Sequence, residues 1–195
     1  MSVEIRDAHV TDIPHLAYVS MQASGGIYEA IYEGAIPDRE THLIIEHIFS
    51  RLDATSSFRN CRILESDGKV IGGLHGHAVA ASANDPGDAL IRRDRLYLVA
   101  PFAELHAPSD SYYISSVALY PENRGGGHGR RLMQDAENIA RSMDLAKMSL
   151  HVFAENRGAV SLYESLGYEE IQRRPAVSHP LIRYEGDRTE IILKA

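Results

Sequence analysis

The sequence predicts an α/β protein with a mixed, mostly antiparallel sheet flanked by helices, and three observations carry that expectation. Short runs rich in Tyr, Ile and Val alternate at period two, as in SYYISSVALYP at 111–121 and KMSLHVFAE at 147–155. Between them lies a stretch at helical period, with Leu132, Met133, Ala136, Ile139, Ala140 and Met143 on one stripe and Arg131, Gln134, Asp135 and Asn138 opposite. Strand, helix, strand in that order make a βαβ unit, whose two strands run parallel. Elsewhere Asp67-Gly68 separates two apolar runs, the signal of a tight antiparallel hairpin.

Taken in order, VEIRDA is a short opening strand. Thr11 then caps a helix that tolerates Pro14 in its first turn. The Gly- and Tyr-rich SGGIYEAIYEG at 24–34 reads as a binding loop, and Asp38 can cap a second helix carrying Leu43, Ile44, His47, Ile48 and Leu52 at helical spacing. Arg62–Glu65 and the run from Val70 form the hairpin. Ser82 to Asp110, with Asn84-Asp85-Pro86-Gly87 and further prolines, reads as an irregular excursion. The Tyr112–Tyr120 strand stops at Pro121, a helix starts at Gly129, and the Lys147–Glu155 strand follows. Asn156 caps the last helix, whose apolar face is Ala159, Leu162, Tyr163 and Leu166 and whose end is Gly167. YEEIQRRPAV and RTEIILKA close the chain as strands. With no repeat, low-complexity segment or linker, residues 1–195 are expected to form a single domain.

A net charge of -7 removes the broad basic surface that nucleic acid requires, so no nucleic-acid partner is expected. One cysteine, Cys61, excludes an internal disulfide framework and fits a reducing compartment. The N-terminus lacks the basic-then-apolar pattern of a secretion signal, and no apolar run reaches transmembrane length, so the expectation is a cytoplasmic protein with no membrane partner. His75-x-His77 puts two imidazoles on one side of a strand, but no third ligand accompanies them and no metal is expected.

YPENRGGGHGRRL, from Tyr120 to Leu132, lies between a strand and a helix N-terminus. Such a place exposes unpaired backbone N–H groups and the positive end of the helix dipole, and glycines let a ligand approach them closely. That is a site for a phosphate or pyrophosphate, with Arg124, Arg130 and Arg131 adding charge; a plain turn with solvated arginines is the competing reading. The nucleoside-triphosphate loop fails because no Gly-Lys-Ser/Thr occurs. The dinucleotide fingerprint fails because its last glycine falls on Arg130 or Leu132. If an anion binds, it is a different diphosphate.

Arg124-Gly125-Gly126-Gly127-His128-Gly129 resembles the R/Q-x-x-G-x-G/A signature of the GNAT superfamily of acetyl-CoA-dependent N-acetyltransferases. ENRGAVSLYESLGY, from Glu155 to Tyr168, is similar to the family's second hallmark. The resemblance covers about Tyr112 to Glu170. It implies a βαβ unit whose strands splay apart, with pantetheine lying as an extra strand against Val117 and Leu119. It implies pyrophosphate on the backbone of Arg124, Gly125, Gly126, Gly127, His128, Gly129 and Arg130. Asn156 would contact pantetheine, Tyr163 would serve the departing sulfur, and acetyl-CoA would be the co-substrate, with no metal. Taken without the resemblance, Tyr163 lies on an apolar stripe where core packing competes.

The implied reaction is direct attack of a primary amine on the thioester, so some base must take a proton from a group that titrates near 10. The family's glutamate on the strand before the loop is missing from Tyr112-Tyr113-Ile114-Ser115-Ser116. Tyr113 or Ser115, on the face shared with Val117, can instead hold a water, as can His75 or His77; Ser115 is taken as the catalytic candidate beside Tyr163. Tyr28 and Tyr32 are candidate acceptor-site walls. The acceptor is a small molecule, an amino acid derivative or a peptide N-terminus. A catalytically weak acyl-CoA-binding regulatory or interaction module is the alternative, and a homodimer through the C-terminal strands is possible.

Overall fold

The computed structural model describes residues 2–79, 89–103, 107–184 and 186–194. Seven strands, β1 (Val3–Asp7), β2 (Cys61–Ser66), β3 (Lys69–Ala78), β4 (Ser111–Leu119), β5 (Lys147–Phe153), β6 (Glu169–Pro175) and β7 (Asp187–Lys194), form one sheet in the order β1-β2-β3-β4-β5-β7-β6. Every neighbouring pair is antiparallel except β4 with β5, which is the expected mixed architecture. The hairpin turns at Asp67 and Gly68, both at positive φ, as a two-residue turn requires.

Helices α1 (Ile13–Ser24), α2 (Ile27–Tyr32) and α3 (Thr41–Phe49) cover one face. There Leu16, Ile44, Ile45 and Phe49 pack with Ile63 of β2 and Phe153 of β5. Helices α5 (His128–Ser142) and α6 (Arg157–Ser165) cover the other, where Leu132, Met133, Ala136 and Tyr163 pack with Leu64, Leu74, Ile114, Leu150 and Val152. Neighbouring residues Ile63 and Leu64 thus serve opposite cores, the period-two consequence of a sheet buried on both sides. Each such aliphatic side chain contributes about 1.5–3 kcal/mol through burial.

Four expectations are corrected. The 24–34 stretch is not a loop: Ile27–Tyr32 is helix α2, because Ile27, Ala30, Ile31 and Tyr32 share a buried face at helical spacing. The excursion contains helix α4 (Leu96–Ala103), anchored by buried Leu98; Pro101 inside it looked like a breaker. Of that excursion, 82–88 and 104–106 lie outside the described residues. Helix α1 starts at Ile13 with Asp12 at its N-cap. Thr11 belongs to the single turn before it, which the His9 ring and the Asp12 carboxylate cap reciprocally. Helix α3 starts at Thr41 after Glu40, because Asp38 sits at φ 56°, outside the extended conformation of an N-cap.

Candidate active site

The parallel pairing of β4 and β5 begins at Ser111↔Lys147 and stops at Ile114↔Leu150. Beyond that point β4 continues to Leu119 on β3 alone, and β5 continues to Phe153 on β7. The cause is local. His75 pairs with Ser116 and Gly76 with Ile114, so Ser115 is an extra residue with none opposite it, a β-bulge that bends its strand. A wedge opens in the middle of the sheet, and the cleft there is lined by Ser115, Val117, His151, Phe153, Asn156 and Tyr163 among others. Its volume, about 60 Å³, is that of about two molecules of liquid water.

The bulge also reverses the strand's alternation. Val117 and Leu119 pack toward α5, whereas Tyr113 meets His77 and His151 on the face covered by α1–α3, and the Ser116 hydroxyl lies 3.0 Å from that of Ser20 in α1. Tyr113 therefore does not share a face with Val117, contrary to the sequence reading, because one unpaired residue between them flips the register.

At the mouth of the wedge the glycine loop leads into α5. Gly127 occupies the N-cap at φ 76° and Gly125 has φ 83°, left-handed conformations that glycine adopts without strain. No side chain caps this helix, so its first N–H groups meet no capping oxygen. The loop arginines divide. Arg124 reaches back to the Leu119 carbonyl, Arg130 donates to the Ser165 hydroxyl at 2.7 Å, and Arg131 donates to the Val3 carbonyl at 2.8 Å. Arg131 thereby ties α5 to β1 rather than adding charge to the loop. The side chain of Leu162 limits the space at Gly129, where a Cβ would lie 3.2 Å from it.

Asn156 caps α6, its Oδ1 accepting from the Ala159 N–H at 3.3 Å, and it also lines the cleft. Cap and cleft roles coexist because the cap is the first turn of the helix that borders the wedge. Tyr163 is buried, and burial alone raises its phenol above the usual range. It is a poor acid and an intact hydrogen-bond donor.

Across the sheet from Tyr163, His151 lines the same cleft. Its Nδ1 is 3.1 Å from the Tyr113 hydroxyl, and the row continues through His77 to His75, with ring centroids 5.7 and 5.6 Å apart. The sequence reading missed His151. The signal was present: Met148, Leu150 and Val152 take one face of β5, so His151 and Phe153 must take the other. His75 contacts Phe49 and bonds the Thr55 carbonyl at 2.9 Å. No carboxylate among the described residues borders the cleft. Among the described residues, no three His, Cys, Asp or Glu side chains gather closely enough to hold a metal ion.

Tyr28 and Tyr32, read as acceptor walls, do not border the cleft; Tyr32 is core and Tyr28 packs against it. A segment from far along the chain lies against the cleft residue Phe153. The segment 181–184 crosses the α1–α2 turn, where the Arg183 N–H donates to the Gly25 carbonyl at 2.8 Å and the Tyr184 ring lies 5.2 Å from that of Phe153. A larger hollow of about 380 Å³ is bordered by Arg157, Glu164, Tyr168, Glu170 and Arg173. Neither β4 nor the glycine loop reaches it, so it lacks the groups that the wedge assembles.

Comparison with known proteins gives the same picture. Residues 26–168 match the model of the acetyltransferase (GNAT) family. The uncharacterized N-acetyltransferase YycN of Bacillus subtilis is 40% identical over 68 residues, 35% of this chain and 44% of that protein. The matched stretches span half or less of the length of the curated relatives. Among solved structures, the ribosomal-protein-S18-alanine N-acetyltransferase of Escherichia coli has a TM-score of 0.60 at 18% identity, covering 99% of this chain and 94% of that one. YncA of Salmonella typhimurium, solved with its cofactor acetyl-CoA, has a TM-score of 0.61 at 18% identity, covering 100% and 94%. These two likenesses are likenesses of fold. Among the described residues no helix is long and apolar enough to cross a membrane.

Proposed function

The chain belongs to the GNAT acetyltransferase family, and from that premise we propose that it moves the acetyl group of acetyl-CoA to a primary amine by direct attack. Residues 1–195 act in this reading as one acetyltransferase domain. The observation that carries it is the interrupted pairing of β4 and β5 at Ile114↔Leu150, beyond which β4 has no partner strand on the β5 side.

In this reading pantetheine lies as an added strand along Val117 and Leu119, with Asn156 at its far side. The backbone of 124–130, at an uncapped helix N-terminus, is suited to the pyrophosphate. Because those contacts are main-chain, they depend on loop conformation more than on the side chain of His128. At the thioester, the C–N bond forms as the C–S bond breaks. Tyr163, kept protonated by burial, donates a hydrogen bond to the departing sulfur. Ser115, at the bulge, holds a water or the developing oxyanion beside the Val117 N–H.

The acceptor proposed is an amine small enough to reach the wedge: a small molecule, an amino acid derivative or a peptide N-terminus. The lack of a carboxylate among the described residues of the cleft favours a second reading, a CoA-binding module with weak chemistry. Calorimetry with acetyl-CoA, followed by thiol release with a panel of amines, separates the two. Binding with turnover supports the enzyme, binding without turnover supports the module, and no binding overturns both.

A further inference from the structure

The wedge passes through the sheet, so its two walls belong to different sides of the molecule. Tyr163, Asn156 and Ala159 come from α6 on one face. His151 and Phe153 on β5, with Ala23 at the end of α1, come from the other. If the sulfur leaves on the Tyr163 side, the amine arrives on the side of His151, Phe153 and Tyr184. A proton must be removed there, where the described residues lining the cleft offer one imidazole and no carboxylate.

We propose that His151 is the catalytic base that takes the acceptor's proton, directly or through a water, and that Tyr113 is the residue that positions it. This rests on the acetyltransferase reading above. Three features of the structure support the choice. His151 is half-buried and lines the cleft. Its Nδ1 is tied to the Tyr113 hydroxyl at 3.1 Å. Tyr113 in turn is wedged between the His151 and His77 rings, at centroid distances of 5.3 and 5.7 Å, which fixes the phenol from both sides. With Nδ1–H donated to the Tyr113 oxygen, Nε2 is the basic nitrogen. His75 cannot substitute: it is buried, against Phe49 and the Thr55 carbonyl.

Imidazole titrates at about 6.5 and an alkylammonium at about 10. The transfer becomes feasible as the wedge desolvates the ammonium, which lowers its pKa. Of the two protons the ammonium gives up, the first goes to His151 and on to solvent. The second is shed as C–N forms and C–S breaks, and it ends on the sulfur, where Tyr163 donates its hydrogen bond. Among the described residues, the groups around His151 include Tyr113 from β4, His77 beyond it on β3 and Tyr163 across the cleft from α6. Glu190 is its cross-strand partner in the β5–β7 register.

The test compares wild type, His151→Gln and Tyr113→Phe in thiol release across pH, with calorimetry of acetyl-CoA binding alongside. His151→Gln is expected to lower kcat/KM about 100-fold or more near neutral pH while acetyl-CoA binding persists. The deficit narrows as pH approaches the amine's own pKa, because the free amine no longer needs a base. Tyr113→Phe is expected to move the acidic limb of the profile without changing the affinity for acetyl-CoA. A deficit independent of pH, or none, overturns the assignment. Should His151→Gln fail to fold, nitrogen-15 NMR of the wild type decides instead. An Nε2–H tautomer, or an imidazole unmoved by acetyl-CoA, overturns it; the Nδ1–H tautomer with a shift on binding supports it. A wild type that binds acetyl-CoA yet turns over no amine overturns the acetyl-transfer reading and this base with it. A working wild type with an indifferent His151 overturns only the base.

Discussion

Gly26 stands so close to Leu181 that a Cβ on it would lie 1.8 Å from the Leu181 carbonyl oxygen. The two residues are far apart in the chain, and their approach is what seats the segment before β7 over the turn between α1 and α2. Gly26 also has φ 99°, where side-chain-bearing residues are strained. Gly26→Ala should therefore cost about 1–3 kcal/mol in backbone strain alone, plus the displacement of 181–184. A thermal melt lowered by several degrees is the expected result, accompanied by a raised KM for the amine if 181–184 walls the acceptor side.

Tyr163→Phe separates a chemical role from a packing role. Burial alone accounts for the raised phenol pKa, with no hydrogen-bonded partner contributing. Removing the hydroxyl should leave stability within about 0.5 kcal/mol. Turnover should fall at least about ten-fold with acetyl-CoA affinity retained. Unchanged turnover at unchanged stability would return Tyr163 to the core.

The glycine loop makes a paired prediction. Gly127→Val forces a β-branched residue to φ 76°, so acetyl-CoA binding should weaken by about ten-fold or more. Arg131→Ala, whose guanidinium bonds the Val3 carbonyl on the far side, should leave that affinity unchanged. Equal losses in both, measured by calorimetry, would argue for side-chain charge over backbone contact.

Acid stability should depend on Asp12. Its carboxylate accepts from Arg6 at 2.7 and 3.0 Å and from the His9 N–H at 2.7 Å, and the Arg6 bond is the main reason its pKa lies below the usual carboxylate value. A carboxyl with a lowered folded-state pKa contributes fully above its unfolded value of about 4, and the contribution fades as pH falls through the folded value. Asp12→Asn should thus cost about 1–3 kcal/mol at neutral pH, discounted for the partial exposure of Arg6, and progressively less as pH falls below the unfolded value of about 4. Denaturant titrations at several pH values read this directly.

Cys61 is buried, and burial raises its thiol well above the ordinary range. It should resist aromatic disulfide reagents until the protein unfolds globally. Labelling of folded protein at the rate of a free thiol would contradict the placement. The same inertness keeps the chain's single cysteine from contributing to a thiol-release assay.

Much of the architecture was legible because it depends on short-range pattern. The stripe of Leu132, Met133, Ala136, Ile139, Ala140 and Met143 and the alternation of Met148, Leu150 and Val152 predict α5 and β5 directly; all are buried except Ile139, which is partly buried, and Met143, which lies just past the end of α5 and is exposed. Asp67-Gly68 gave the hairpin and Asn156 the cap of α6, since turn and cap chemistry is local. Helix α2 was missed because Gly25-Gly26 suggested a loop, while the need for those glycines comes from Leu181 and Tyr184, invisible at that range. Helix α4 was hidden by Pro101, and its anchor, Leu98, finds its partners only in the folded core.

What the sequence determined by itself was the class of the fold and the glycine loop at a helix N-terminus, both fixed by residues a few positions apart. The tertiary structure decided which side chains meet at the wedge. One unpaired residue, Ser115, splits β4 from β5, turns Tyr113 toward His151, and opens a passage between two helical layers. A bulge is a property of two strands in register, so neither strand's letters contain it alone.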